Sequence, residues 1–469
     1  MIKLKEIIVN LNHDRYSDFE QQLAKTKADK FLYLTQAYRK GNVNDDEILK
    51  QLELNSNSFY VLKSRLFDKL KSHLSEDIKI SKEDVLNKLQ QIYMICYSEP
   101  REISIPFLEK LEEELLEFDM HSELLVVYSF LKKMHLKSER YFHYSQLYNK
   151  HIAFWLSLEK SEALLGNFNQ LLCLYLFSKS DEYLNKLLFL RKEVENHVVL
   201  NPSRSIEIIS NIVDIELALF CGNDVVKGLD VEKLLSDTIE KMKALPESSH
   251  IRQWQIAVDF LSFEYYRKSN PVKAEDSYQK LNSSIGNLLL FNSICLTPQF
   301  LLSKIRYLCD KSELETLIKE GQANFLLDPN DTYSKVIAGL YKSMISYYDG
   351  KIKEAISTLN EVINLYSFKD FFHINIEVKL TLAFFYIKAK DLDMADNLIK
   401  SIYRKIKSEK LDHYENVMDV IKFLNLEMQS DAKSNPKKKD ALTLFSARNT
   451  GKYAVLEYLL PELKVCTGK

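Results

Sequence analysis

The sequence predicts an all-α protein built from helical hairpins, and three observations carry that reading. Gly and Pro are scarce, ten and nine among 469 residues, where average usage of about 7% would supply roughly 33 Gly. Strand–turn–strand folds consume these residues at their turns, so a long chain that nearly avoids them is most simply a chain of helices. Apolar residues also recur at i, i+3, i+4 and i+7 along almost the whole length, the spacing of one helix face. Finally, the periodic segments are separated by short polar breaks: SNP at 269–271, DPND at 328–331, DGK at 349–351 and AKD at 389–391. Short connections between helices of similar length make them antiparallel neighbours. A chain of this size is too long for one core, but a stacked repeat grows without that limit.

The N-terminal module, 1–80, opens with MIKLKEIIVNLNHDRY, which lacks the apolar core and small-residue cleavage site of a leader. Within it, DDEILKQL (45–52) reads as a short helix, and ELNSNSFYVLKSRLFDKL (53–70) as a turn and a long amphipathic helix. Phe59, Leu62, Leu66, Phe67, Leu70 and Leu74 make one apolar arc of that helix. The stretch resembles the helix-turn-helix of bacterial sigma-factor region four, on Glu47-Ile48 in the first helix and Lys63-Ser64-Arg65-Leu66 in the second. The resemblance covers about 30 residues. It implies that Asn55, Ser56, Asn57, Tyr60 and Ser64 face a DNA groove, while Arg65, Lys69 and Lys71 meet phosphates. The alternative is a structural hairpin, packed on one side and solvated on the other.

Residues 81–430 continue as helix pairs. From Ile105 to Phe118, Ile105, Leu108, Leu111, Leu115 and Phe118 share one face, with Glu109, Lys110, Glu113 and Glu114 opposite. The aromatic-rich stretch 121–165 reads as core filler between stacked helices. Three later segments repeat: AVDFLSFEYYRKSNPVKAEDSY from Ala257, GLYKSMISYYDGKIKEAISTL from Gly339 and KLTLAFFYIKAKDLDMADNLI from Lys379. Each places a small residue in its first helix (Ser262, Ser343, Ala383) and an Ala early in its second (Ala274, Ala355, Ala395). A larger residue follows four on (Tyr278, Leu359, Ile399). Small side chains let two helices approach, and the larger ones fill the groove to the next pair.

This pattern resembles the tetratricopeptide repeat, most clearly over 255–410. The resemblance implies a right-handed α-solenoid over 81–430. Two departures stand out: Ser269 and Lys390 replace the turn Gly that Gly350 keeps, and Ala355 to Ala395 is 40 residues rather than the usual 34. The remainder, 431–469, starts with the basic, Pro-broken SDAKSNPKKKD and continues into one or two short helices that dock back.

Signals for chemistry are weak. His135, His143 and His151 are eight apart and drift around a helix rather than converge, and no HExxH is present, so no metal is expected. No glycine-rich phosphate loop and no G-x-S-x-G elbow exist, so no cofactor and no enzymatic activity are expected. The six Cys form no CxxC pair. Net charge is −2, which makes nucleic acid a less favoured partner than protein. No window approaches 18 uncharged apolar residues, so no membrane span is expected and the setting is read as cytoplasmic.

The function expected is a non-enzymatic, bacterial-type scaffold that binds a peptide or protein. Tyr341, Tyr348, Asn375 and Lys379, expected as exposed positions on first helices, are the candidate contacts. The alternative is a transcriptional regulator in which the solenoid controls the N-terminal DNA reader, an analogy to peptide-sensing regulators.

Overall fold

The computed structural model describes residues 4, 5, 8, 13–26, 28–40, 45–52, 54–117, 120–222, 224–245, 249–288, 297–321, 332–429 and 435–466. The expected break at 328–331 lies outside them. Among the described residues all regular structure is helical, so the fold is all-α. No helix is long and apolar enough to cross a membrane. The chain divides into two compact units, Met1–Trp155 and Leu156–Lys469.

The first unit contains α1 (His13–Lys25), α2 (Asp29–Lys40), α3 (Asp45–Gln51), α4 (Ser56–Ser98), α5 (Arg101–Glu117) and α6 (His121–Met134), and ends inside α7 (Arg140–Ser178). It has two cores. Phe19, Leu23, Leu34, Tyr38, Ile48, Phe59, Leu66 and Leu70 form one. Ile92, Leu108, Leu111, Leu115, Leu124, Tyr128 and Leu131 form the other. The boundary expected at residue 80 falls inside α4, whose 43 residues serve both cores. A continuous amphipathic pattern with no Gly or Pro gives the helix no reason to stop there.

The second unit continues with α8 (Asp181–Leu200), α9 (Arg204–Glu216) with a π turn at Leu217–Cys221, α10 (Val231–Lys243), α11 (Ser249–Tyr266), α12 (Pro271–Leu288), α13 (Thr297–Asp310) and α14 (Leu314–Gly321). Then come α15 (Thr332–Tyr348), α16 (Ile352–Leu365), α17 (Phe372–Lys388), α18 (Leu392–Ser408), α19 (Glu415–Met428), α20 (Asn435–Arg448) and α21 (Leu460–Val465). From α9 onward the helices pair in sequence, α9 with α10 through α19 with α20, and each pair packs on the next, α11/α12 meeting α13/α14 through Phe263 on Phe300 and Tyr278 on Glu320. The small residues of the three repeats sit at these seams. Ser262, Ser343, Ala383, Ala274, Ala355 and Ala395 are all buried, as are Tyr278, Leu359 and Ile399. Gly339 marks a close approach of α15 and α16, since a Cβ there would stand 2.5 Å from Val362 Cγ2.

One cap recurs through this unit. At Ser312, Gly350, Lys390 and Lys410 φ is 61°, 75°, 64° and 53°. The next amide bonds back five residues in each case: Glu313 to Leu308, Lys351 to Ser346, Asp391 to Tyr386 and Leu411 to Ile406. This is the left-handed helix stop that Gly favours. Lys390 therefore takes the backbone conformation of Gly350, at a cost of about 1 kcal/mol for its Cβ.

The C-terminal stretch is part of the second unit. Ala441, Phe445, Val455, Leu456, Leu459 and Leu463 belong to its core. Within the expected basic linker, Lys438 is buried and paired with Glu427 at 2.8 Å.

Candidate functional site

Residues 449–466 cross the second unit against the first helices of four successive pairs. Asn449 closes the turn that leads in. Its Oδ1 accepts from Val455 N–H (2.9 Å), its Nδ2 donates to Val455 O (2.8 Å), and Asn416 Nδ2 donates to its Oδ1 (2.8 Å). Leu456, at φ 53°, turns its N–H onto both oxygens of Glu377 in α17, at 2.9 and 3.0 Å. Arg267, just past α11, reaches Glu457 at 3.2 Å, and Arg306 in α13 donates to the Glu457 carbonyl at 3.3 Å. Tyr458 bonds Thr381 in α17 at 2.9 Å, and Tyr347 in α15 donates to Glu462 at 3.0 Å. The backbone of this segment is thus read by side chains of the helices beneath it.

A cleft opens beside the segment, with about 930 Å³ of empty space, part of it continuous with solvent. Five cations line it: Lys179, Arg267, Lys268, Arg306 and Lys452. Three carboxylates also line it: Glu264, Glu377 and Glu457. Glu264 and Glu457 are tied to Arg267. Burial raises the Glu377 carboxyl to about 7, against the pull of Leu456 N–H, Tyr458 and Lys179. Burial lowers Lys179 to about 8, and Cys221, Glu377 and Glu457 offset only part of that. His373, also on the wall, is buried and held neutral, its Nδ1 3.1 Å from Tyr414 Oη. For Glu457 burial acts upward, but Arg267, Lys268 and Arg306 outweigh it and hold the carboxyl below its ordinary range.

Sequence reasoning did not find this cleft. Its signal was faint: single charges inside apolar runs, Lys179 after LYLFS and Glu377 within HINIEVKL.

The four expected contact residues lie elsewhere, and the expectation that they are exposed is corrected. Tyr341 is fully buried and Asn375 is buried. Tyr348 is largely covered and accepts a contact from Cys309 Sγ at 3.2 Å, while half-buried Lys379 donates to Ser401 at 3.0 Å. The reason is that a first helix here is enclosed on several sides by its own partner, the adjoining pairs and the C-terminal segment. In α17, fourteen of seventeen residues are buried, so almost no position is left to face outward.

In the first unit, Asn57, Tyr60, Ser64, Arg65 and Lys69 are exposed, Tyr60 by 65%. Asn55 is the helix cap, its side chain accepting from Ser58 N–H at 2.8 Å. Lys63 turns inward to Asp45 at 2.7 Å, over the Phe59 ring. The side chain of Lys71 lies outside the described residues. Of the three histidines considered, His151 pairs with His121, Nδ1 to Nδ1 at 3.2 Å, and His135 lies 3.0 Å from Ser138 Oγ. Among the described residues no group of three His, Cys, Asp or Glu is placed to hold a metal ion.

No protein-family model, curated protein or solved structure matches this chain.

Proposed function

We propose that this chain is a non-enzymatic, cytoplasmic interaction protein. In this reading the second unit is a right-handed array of tetratricopeptide-like hairpins. It binds a peptide or protein segment along the face made by α11, α13, α15 and α17. One observation carries this reading: the chain's own residues 449–466 already lie on that face, held through backbone and side-chain hydrogen bonds. A surface that reads one segment has the donors and acceptors to read another beside it.

Panning a random peptide library on the full chain tests the reading. Enriched peptides are expected to share an acidic consensus and to bind with Kd in the micromolar range, roughly −8 kcal/mol. They are expected to lose about tenfold on Lys268→Glu, which reverses an exposed charge at the cleft. Failure to enrich any peptide, or binding indifferent to Lys268→Glu, refutes it.

A second reading rests on the exposed face of α4. There the first unit reads DNA through Asn55, Asn57, Tyr60 and Ser64, with Arg65, Lys69 and Lys71 on phosphates, and the second unit controls it. Three phosphate contacts predict a log–log salt slope of about −3 for duplex binding. Arg65→Ala with Lys69→Ala is expected to remove about two units of that slope. Anisotropy measurements that give a slope near zero reject the DNA reading.

A further inference from the structure

Lys179 sits in the turn between α7 and α8 with φ 55°, a backbone conformation that Gly favours. Its side chain enters the cleft. Its ammonium lies 5.0 Å from the centre of the Tyr175 ring. Among the described residues no carboxylate forms an ion pair with it.

The second cation is Lys452, brought to the same cleft from the C-terminal turn. Its nearest carboxylate is Asp181 at 3.8 Å, whose side chain is 83% exposed, so that pair is largely screened. Lys179 and Lys452 repel each other. The carboxylates nearby are already committed, Glu377 to the Leu456 amide and Glu264 and Glu457 to Arg267. Gln299, whose Oε1 accepts from Tyr333 Oη at 3.1 Å, and Ser303 complete the wall. Two cations kept together against their own repulsion, in a half-enclosed space, lack one thing: an anion.

We propose that this cleft binds a small oxyanion-bearing ligand, whose carboxylate or phosphate group is received between Lys179 and Lys452. The proposal goes beyond the peptide-binding reading and does not depend on it. The groups that act on Lys179 are Cys221, Glu377, Glu457 and Lys452, and Lys179 in turn acts on His373. With Lys179 titrating near 8 in the free protein, the anion favours its charged form. Affinity is therefore highest below that pH and falls above it.

Calorimetry at low ionic strength tests this on the full chain, with inorganic phosphate and N-acetyl-diglutamate as separate probes. At least one is expected to saturate, and to weaken roughly tenfold or more in Lys179→Met and in Lys452→Met. Lys110→Met, on the exposed face of α5, is expected to leave binding unchanged. Saturation by phosphate alone assigns a phosphate ligand, and by the dipeptide alone a carboxylate. The fall in affinity between pH 7 and 9 is expected in the wild type and is expected to be smaller in Lys179→Met, where only Glu377 titrates beside the ligand. No saturation by either probe overturns the proposal, as does wild-type affinity in Lys179→Met. If Lys179→Met does not fold, Lys452→Met and the wild-type pH profile decide.

Discussion

Arg267→Met is expected to lower the unfolding free energy by about 3–5 kcal/mol, the largest loss from any single charge in the second unit. The guanidinium contacts Glu264 at 2.9 Å and Glu457 at 3.2 Å. Its side chain is 11% exposed and that of Glu264 only 6%. Burial acts to lower the basicity of Arg267, but the two carboxylates outweigh it and raise it above the ordinary value. The group is therefore charged at any accessible pH. Removing it leaves a carboxylate inside the protein with no cation, and that orphaned charge is the source of the loss. Glu264→Gln added to Arg267→Met is expected to recover most of it, because an amide asks for less solvation than a carboxylate. Arg267→Lys is expected to recover little, since an ammonium cannot fork to both acids. Urea unfolding of the wild type, Arg267→Met, Glu264→Gln and the double variant closes the cycle. A loss below about 1 kcal/mol for Arg267→Met is the size of a surface pair, and would sink this account. The same substitution frees one anchor of residues 449–466, so faster hydrogen exchange at the Leu456 amide is the local readout.

The parts of this fold that the sequence made legible are those governed by spacing along the chain. Ala274, Ala355 and Ala395 are readable because a helix seam accepts only a small side chain there, and all three are buried. The stop at Lys390 is readable by register with Gly350, even though the residue type gives no hint of its positive φ. Exposure was less legible. Tyr341 and Asn375 look like surface residues of an amphipathic helix when α15 and α17 are read one at a time. They become interior once neighbouring pairs and the C-terminal segment cover the remaining faces. The cleft was not legible at all. Lys179, Glu377 and Lys452 are separated by 198 and 75 residues, and only the docking of 449–466 brings them together. Nothing in local periodicity encodes which distant segment closes a stack.

Glu377→Gln isolates that docking through pH. The Glu377 carboxyl titrates at about 7 in the folded chain, against about 4.3–4.5 in an unfolded one. Its folded value is raised, so the sign is fixed. Below pH 4.5 both states hold the proton and the group contributes fully. As pH rises toward 7 the unfolded chain ionises first and stability is lost; above 7 the loss is complete, about 3–4 kcal/mol. Glutamine cannot ionise, yet its Oε1 still accepts from Leu456 N–H. Wild-type stability minus that of Glu377→Gln is therefore expected to fall by this amount between pH 4.5 and 7 and to be level on either side. Other titrating groups cancel in the difference. Lys179 acts to lower Glu377, so in a Lys179→Met background the falling limb is expected to extend above pH 7. A difference profile that stays flat across the window would mean that Glu377 is well solvated, and that residues 454–458 do not cover it as they do in this structure.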